Sequence, residues 1–168
     1  MKKDNFNSPD YYLIDELLSE ENLLIRSITR DWVKSNVSPI IEEAVQKDKF
    51  PIHFIKSLSE IGAFGPLLPE KYGGAEIDYI SYGLMMQELE RGDSSLRVLS
   101  SIQSGLIMKL IYEYANENIK TSDLTKLSEG ELIGSFGMSE PNHGSDPHSM
   151  STRFYSTNLS LIHISEPT

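Results

Sequence analysis

Apolar side chains recur along most of this chain at helical spacing, and the pattern changes near residue 130. From Ser19, the positions Leu23, Leu24, Ser27/Ile28 and Trp32 fall at helical spacing, which predicts an amphipathic helix. Glu20 and Glu21 fall in its first turn, where the helix dipole favours acids. Pro39 kinks or restarts the segment, and Pro51 suits the first turn of a helix running to Phe64. The run "GPLLPEKYGGAEID" is a loop in which Gly73 and Gly74 are expected at positive φ. Asp78 is placed to cap the helix "YISYGLMMQELER", and Gly92-Asp93 to close it and cap the next, which reaches Ala115. The polar run "NENIKTSDLTKLSEGE" reads as a solvated helix. "ELIGSFGM", from Glu131, is short, rich in Ile and Phe and followed by turn residues, which predicts a strand. The expected architecture is a mainly α domain followed by the start of a β domain.

The helix from Asp93 to Ala115 carries two stripes. At 100° per residue, Leu96, Leu99, Gln103, Leu106, Ile107, Leu110, Ile111 and Tyr114 share one broad face. Arg97, Ser101, Ser104 and Met108 share a neighbouring one. A cation and hydroxyls on a helix otherwise built for burial allow two readings. Arg97 either snorkels to water or pairs with Glu90 or Asp93 at a boundary, or it lines a pocket wall that recognises a carboxylate or phosphate.

Composition narrows the partners. The chain has 168 residues, 39% of them hydrophobic, and a net charge of −10. That acidity argues against a nucleic-acid partner, which needs a basic face. There is no cysteine, which removes disulfides and thiolate metal sites. No apolar run is long enough for a membrane span, and the opening residues lack signal- or transit-peptide character, so a cytoplasmic protein is the expectation. His143 and His148 are five apart without a carboxylate cluster, so no metal site is expected; His53 reads as a packed or surface histidine.

The densest chemistry lies in "SFGMSEPNHGSDP", Ser135 to Pro147. Glycines permit close backbone approach, successive N–H groups in turns make anion-binding concavities, and Ser139 and Ser145 add hydroxyls. Such a loop suits a flat, polar-edged ligand with a phosphate tail; an ordinary pair of turns is the alternative. It lacks the GK[ST] of a phosphate-binding P-loop and the GxGxxG of a dinucleotide fold.

This loop closely resembles the flavin-loop signature [LM]-[ST]-E-P-x-x-G-S-D of the acyl-CoA dehydrogenases. "IGAFGPLLPEKYGGAEID", "SYGLMMQELERGDSSLR" and "LSEGELIGSFGMSEP" are similar to the corresponding parts of that family, in the same order, over roughly residues 11–155. The pairing of ELER-x-D-S-x-x-R with S-x-Q-S resembles the glutaryl-CoA dehydrogenase-like branch.

The resemblance implies an N-terminal all-α domain over 1–130, the truncated start of a middle β-barrel domain over 131–155, and a C-terminal helical bundle beyond. It implies FAD as cofactor, an acyl-CoA thioester as substrate, electron-transfer flavoprotein as electron acceptor and a homotetramer without membrane insertion. Phe136, Gly137, Met138, Ser139, Glu140, Pro141, Asn142, His143, Gly144 and Ser145 correspond to the flavin-binding stretch. Within it, Ser139 corresponds to the hydroxyl beside the isoalloxazine, and Ser145 to the serine near the phosphates and the CoA portion. Arg97 and Ser101 correspond to the pair that binds the distal carboxylate of glutaryl-CoA, with Glu90 as the accompanying acid and Val98 beside them. The branch also decarboxylates its product to crotonyl-CoA.

Three departures stand out. His143 replaces a small residue common in the family loop. Leu96 and Val98 flank Arg97 where the branch has smaller or more polar neighbours. After "STRF" the likeness ends, and "SLIHISEPT" resembles a translated sequencing-adapter read-through, so residues 156–168 are expected to be non-native. The family's catalytic glutamate belongs to the C-terminal domain, so no residue here is assigned as catalytic base, and the 168-residue chain alone is expected to be inactive. A short-chain acyl-CoA dehydrogenase, an acyl-CoA oxidase and a helical interaction module without cofactor are the competing readings.

Overall fold

The computed structural model describes residues 9–153. By its internal packing the chain divides into a unit that ends at Ser135 and a second that begins at Phe136. Among the described residues the first contains seven α-helices: α1 Glu20–Trp32, α2 Ile41–Gln46, α3 His53–Glu60, α4 Tyr79–Gly92, α5 Ser94–Ser101, α6 Lys109–Tyr114 and α7 Glu117–Ser128. Helix α1 runs along α4, and α4 turns directly into α5. The core gathers Trp32, Val33, Val37, Phe54, Leu58, Phe64, Leu68, Tyr72, Leu89, Leu96, Met108 and Leu124.

Several helix starts are where the chain places its capping residues. Ser19 accepts from the N–H of Asn22 at 3.1 Å while Asn22 returns the bond to the N–H of Ser19 at 3.0 Å, a reciprocal capping box. Asp78 accepts from the N–H of Ser81 at 2.6 Å, and Asp93 from that of Ser95 at 2.9 Å. Pro51 lies just ahead of α3 and its carbonyl takes the N–H of Phe54. His53 is exposed and its ring lies against Phe54.

Four expectations are corrected. Among the described residues there is no strand: Glu131–Met138 has no partner to form a ladder, and the polar groups of Glu131, Leu132 and Gly134 go to a turn and to the Gln103 side chain instead. Only one of the paired glycines, Gly73, has positive φ (77°). Gly74 is required for closeness, since a Cβ there would lie 1.9 Å from the carbonyl oxygen of Leu68. On α1 the buried positions are Asn22, Thr29 and Trp32, while Leu24 and Ile28 stay exposed, because the face turned to α4 is chosen by hydrogen bonds as well as by apolar area.

The fourth correction concerns the long helix after Asp93. Between α5 and α6, Ile102–Met108 is π-helical. A π turn takes more residues than an α turn, so a wheel drawn at 100° drifts out of phase. Ser104 and Met108 are therefore buried rather than part of a polar stripe with Arg97, and Tyr114 is 83% exposed rather than on the core face.

Candidate functional site

Two groups of residues carry the expected chemistry, one in each unit. In the first unit, Glu90 sits in the last turn of α4 and Arg97 at the centre of α5, with Asp93 making the corner between them. Arg97 Nε donates to Glu90 Oε2 at 2.8 Å, and Ser94 Oγ donates to Glu90 Oε1 at 2.7 Å. Both oxygens of Glu90 are thus engaged. The hydrogen bond from Arg97, then that from Ser94, hold the Glu90 carboxyl below the usual carboxylate range, so it is an anion at neutral pH. The guanidinium is oriented through Nε alone, and its Nη nitrogens make no hydrogen bond among the described residues.

Ser101 follows Arg97 by one helical turn and donates to the carbonyl of Val98 at 3.1 Å. Val98 and Ile102 are exposed on the same side. The structure therefore brings Glu90, Arg97, Val98 and Ser101 together as a half-exposed surface. A guanidinium pinned at Nε still offers its Nη edge for a two-pronged grip on a carboxylate.

In the second unit, Glu140 and His143 exchange backbone hydrogen bonds across Pro141-Asn142, closing a two-residue turn. The Glu140 carboxylate accepts from Ser151 N at 2.9 Å, Ser151 Oγ at 3.0 Å and Thr152 N at 2.7 Å. It closes the loop upon itself. The Thr152 hydrogen bond, then the backbone bonds from Ser151 and Thr152, lower its pKa to about 2. A short 3-10 turn over Pro147–Ser149 completes the segment.

Ahead of this turn, the backbone N–H groups of Gly137, Met138 and Ser139 donate to nothing among the described residues, and neither do the hydroxyls of Ser139 and Ser145. Phe136 and Met138 are about half exposed, and a Cβ at Gly137 or Gly144 would meet open space. Among the described residues the stretch is a run of donors without partners, the kind of backbone that suits the polar edge of a flat ligand and its anionic tail. The expected loop residues Phe136 to Ser145 are all in this unit, and the expected non-native tail, 156–168, lies outside the described residues.

The model of the acyl-CoA dehydrogenase N-terminal domain matches residues 19–131. The chain belongs to the acyl-CoA dehydrogenase family. An acyl-CoA dehydrogenase of Bacillus subtilis is 31% identical over 135 residues, 80% of this chain and 36% of the relative. The short-chain-specific acyl-CoA dehydrogenase of Clostridium acetobutylicum is 32% identical over 139 residues, 83% of this chain and 37% of the relative. Among solved structures, a glutaryl-CoA dehydrogenase of Mycobacterium smegmatis in complex with FADH2 superposes with a TM-score of 0.82 at 35% identity, over 86% of this chain and 37% of that one. The chain spans little more than a third of the length of these acyl-CoA dehydrogenases. Among the described residues no helix is long and apolar enough to cross a membrane.

In this acyl-CoA dehydrogenase domain the pairing of Arg97 with Glu90 was legible in the sequence, because it is carried by local spacing. Sequence reasoning missed the role of Glu140 as the loop's internal tie, since the amides it binds lie 11 and 12 residues further on. The four-residue stripe also shrank to Arg97 and Ser101 once the π turn was in place.

Proposed function

We propose that this chain supplies the helical domain and one wall of the flavin site of an FAD-dependent acyl-CoA dehydrogenase, and that the parent enzyme oxidises glutaryl-CoA between its α and β carbons, with decarboxylation to crotonyl-CoA. The observation that carries the reading is the guanidinium of Arg97, fixed through Nε by Glu90 with its Nη edge open, one turn from the hydroxyl of Ser101. A thioester ending in a second carboxylate has a use for that edge, and a monocarboxylic thioester has none.

The unspent amides of Gly137 to Ser139 and the hydroxyls of Ser139 and Ser145 fit FAD, with Phe136, Glu140, Pro141, Asn142, His143 and Gly144 shaping the stretch around them. FAD would supply the two-electron acceptor for the β-hydride. Amides aimed at its polar edge would stabilise the negative charge that reduction builds there. Ser145 would also reach the CoA portion. None of these residues is assigned the role of taking the α-proton. Electron-transfer flavoprotein is the proposed acceptor of the electrons, and a homotetramer the proposed assembly.

The test is to express the complete open reading frame and look for bound flavin, then for bleaching of its visible band by glutaryl-CoA and by butyryl-CoA. A colourless protein overturns the flavin reading. Flavin bleached equally well by both thioesters overturns the carboxylate reading. Arg97→Ala is expected to lower turnover of glutaryl-CoA about 10- to 100-fold, the worth of a charged hydrogen-bond pair, and to leave butyryl-CoA little changed.

A second reading is a short-chain acyl-CoA dehydrogenase. The similarity to the Clostridium acetobutylicum protein supports it, as do the apolar, exposed neighbours Val98 and Ile102. Preference for butyryl-CoA in the same assay would select it.

A further inference from the structure

The π segment holds one buried amide side chain that the proposed function leaves unused. Gln103 is 1% exposed, and both ends of its amide are engaged. Its Nε2 donates to the carbonyl of Leu127 at 3.0 Å, in the last turn of α7, and to the carbonyl of Leu132 at 2.8 Å. Its Oε1 accepts the N–H of Gly134 at 3.0 Å. No other side chain among the described residues hydrogen-bonds the backbone of 131–135.

The contact at Gly134 is steric as well as polar. A Cβ at that position would lie 2.4 Å from Ile107 Cγ2 and 3.0 Å from Ile107 Cγ1, so only glycine lets the chain lie this close to the π turn. Ile107 is itself buried in that turn. Gly134 is thus seated by two residues of one π segment, one supplying an acceptor and the other a surface. Gln103 and Ile107, four residues apart, are both on the buried side of the segment. The seated segment, 132–134, leads directly into Phe136–Ser145.

We propose that Gln103 is a positioning residue for the flavin loop: it clamps the chain at Leu132 and Gly134, and so fixes where the loop's unspent amides begin. Its functional half rests on the flavin reading of residues 136–145. The clamp stands on geometry alone. An amide is suited to this task because it both donates and accepts, and the three backbone groups it meets are two carbonyls and one N–H. A hydrophobic residue of the same length would leave the Leu132 carbonyl and the Gly134 N–H without these partners in a part-buried place, and the Leu127 carbonyl with the Gly130 N–H alone.

Two variants attack the clamp from opposite sides. Gln103→Met keeps the length and removes the hydrogen bonds. Gly134→Ala leaves the helix intact and blocks the seat. In this chain, amide exchange of a peptide covering Gly134 should quicken about tenfold in Gln103→Met, as expected for the loss of about one net hydrogen bond, while peptides from α4 stay within about twofold. In the flavin-loaded product of the complete reading frame, each variant should weaken FAD affinity about tenfold by fluorescence titration. The double variant should lose about tenfold as well and not a hundredfold, because the two changes undo one contact.

Unchanged exchange at Gly134 overturns the clamp. Additive losses of FAD affinity, or none, overturn the positioning role. If the unaltered protein takes up no flavin, the flavin reading and the positioning role fall together, and the exchange measurement still decides the clamp by itself.

Discussion

The carboxamide of Asn22 joins the first turn of α1 to Asp78, the cap of α4, although 56 residues separate them. Its Nδ2 lies 3.2 and 3.0 Å from the two carboxylate oxygens of Asp78 and 2.8 Å from the hydroxyl of Ser81. The same side chain's Oδ1 serves the N–H of Ser19. One buried amide therefore completes the N-terminal caps of both helices and aligns their starts. That alignment sets the pairing of α1 with α4, and α4 carries Glu90 in its last turn, so the cap network stands at the head of the helix that carries the acid of the candidate site.

Asn22→Ala should cost about 2 kcal/mol, the sum of half a capping box and a buried donor. Thermal melting should fall by about 4–8 °C for a chain of this size. Asn22→Asp should do worse at neutral pH, because it faces Asp78 with a second carboxylate. The like charges raise the pKa of the new carboxyl. Its penalty should shrink as pH falls through that raised value. A melting temperature equal to wild type in both variants would contradict this account.

Glu88 makes a second tie between α1 and α4. Its carboxylate, 3% exposed, takes Arg30 Nη2 at 2.6 Å and Arg91 Nε at 2.9 Å. Burial pushes its pKa up, but the hydrogen bonds from Arg30 and Arg91 outweigh burial and leave it below the ordinary value. A folded-state pKa below the unfolded one means the stabilisation is complete above the unfolded value and is lost as pH falls through the folded one. Glu88→Gln should therefore cost about 3 kcal/mol at pH 7, at the low end for breaking a buried pair because Arg30 keeps a third of its surface in water. The gap between wild type and variant should narrow in acid. Urea melts at neutral and acidic pH check both parts, and a constant gap would assign the loss to shape rather than charge.

What the chain disclosed by itself follows from how far each interaction reaches. Asp78 and Asp93 were legible as caps because the N–H groups they serve lie two or three residues on. Glu90 and Arg97 were legible because seven residues across a tight corner bring them into reach. The buried face of α1 was not, since Asn22 answers to Asp78 and Arg30 to Glu88, across more than fifty residues. The π turn was illegible for another reason. It shifts every later position on the helix, and neither Ile102 nor Gln103 announces it by residue type. The strand expected from Glu131 failed because period and composition describe one strand, while a ladder needs two.

Glu140 allows a test by acid. Its folded pKa of about 2 lies below the ordinary carboxylate value of 4.5, held there by the Thr152 and Ser151 donors. The closed form of the loop should be fully stabilised above the ordinary value, weaken as pH falls below it, and lose this tie as pH passes about 2. Proton NMR of the Ser151 and Thr152 amides should show a titration midpoint near 2. Glu140→Gln should remove the pH dependence and speed amide exchange at both residues. A midpoint near the ordinary value would show that the carboxylate does not hold them.

Glu90 admits opposite effects on substrate choice, and its contacts decide between them. A carboxylate beside Arg97 can compete with a substrate carboxylate for the guanidinium, or it can aim the guanidinium at one. Competition requires Glu90 to occupy the Nη edge. It occupies Nε, and its other oxygen is tied to Ser94, so the edge stays open and its direction is fixed. On the proposed glutaryl-CoA reading, Glu90→Gln in the product of the complete reading frame should then lower kcat/KM for glutaryl-CoA relative to butyryl-CoA by about tenfold, because the neutral amide orients the guanidinium less firmly. Arg97→Lys should lose more of that preference, since an ammonium is a point charge and cannot hold Glu90 while gripping a second carboxylate in two places. Turnover of butyryl-CoA should stay within about twofold in both variants, as neither side chain has a partner on that substrate. A rise in glutaryl-CoA preference in Glu90→Gln would mean that the acid competes with the substrate instead of aiming its receptor.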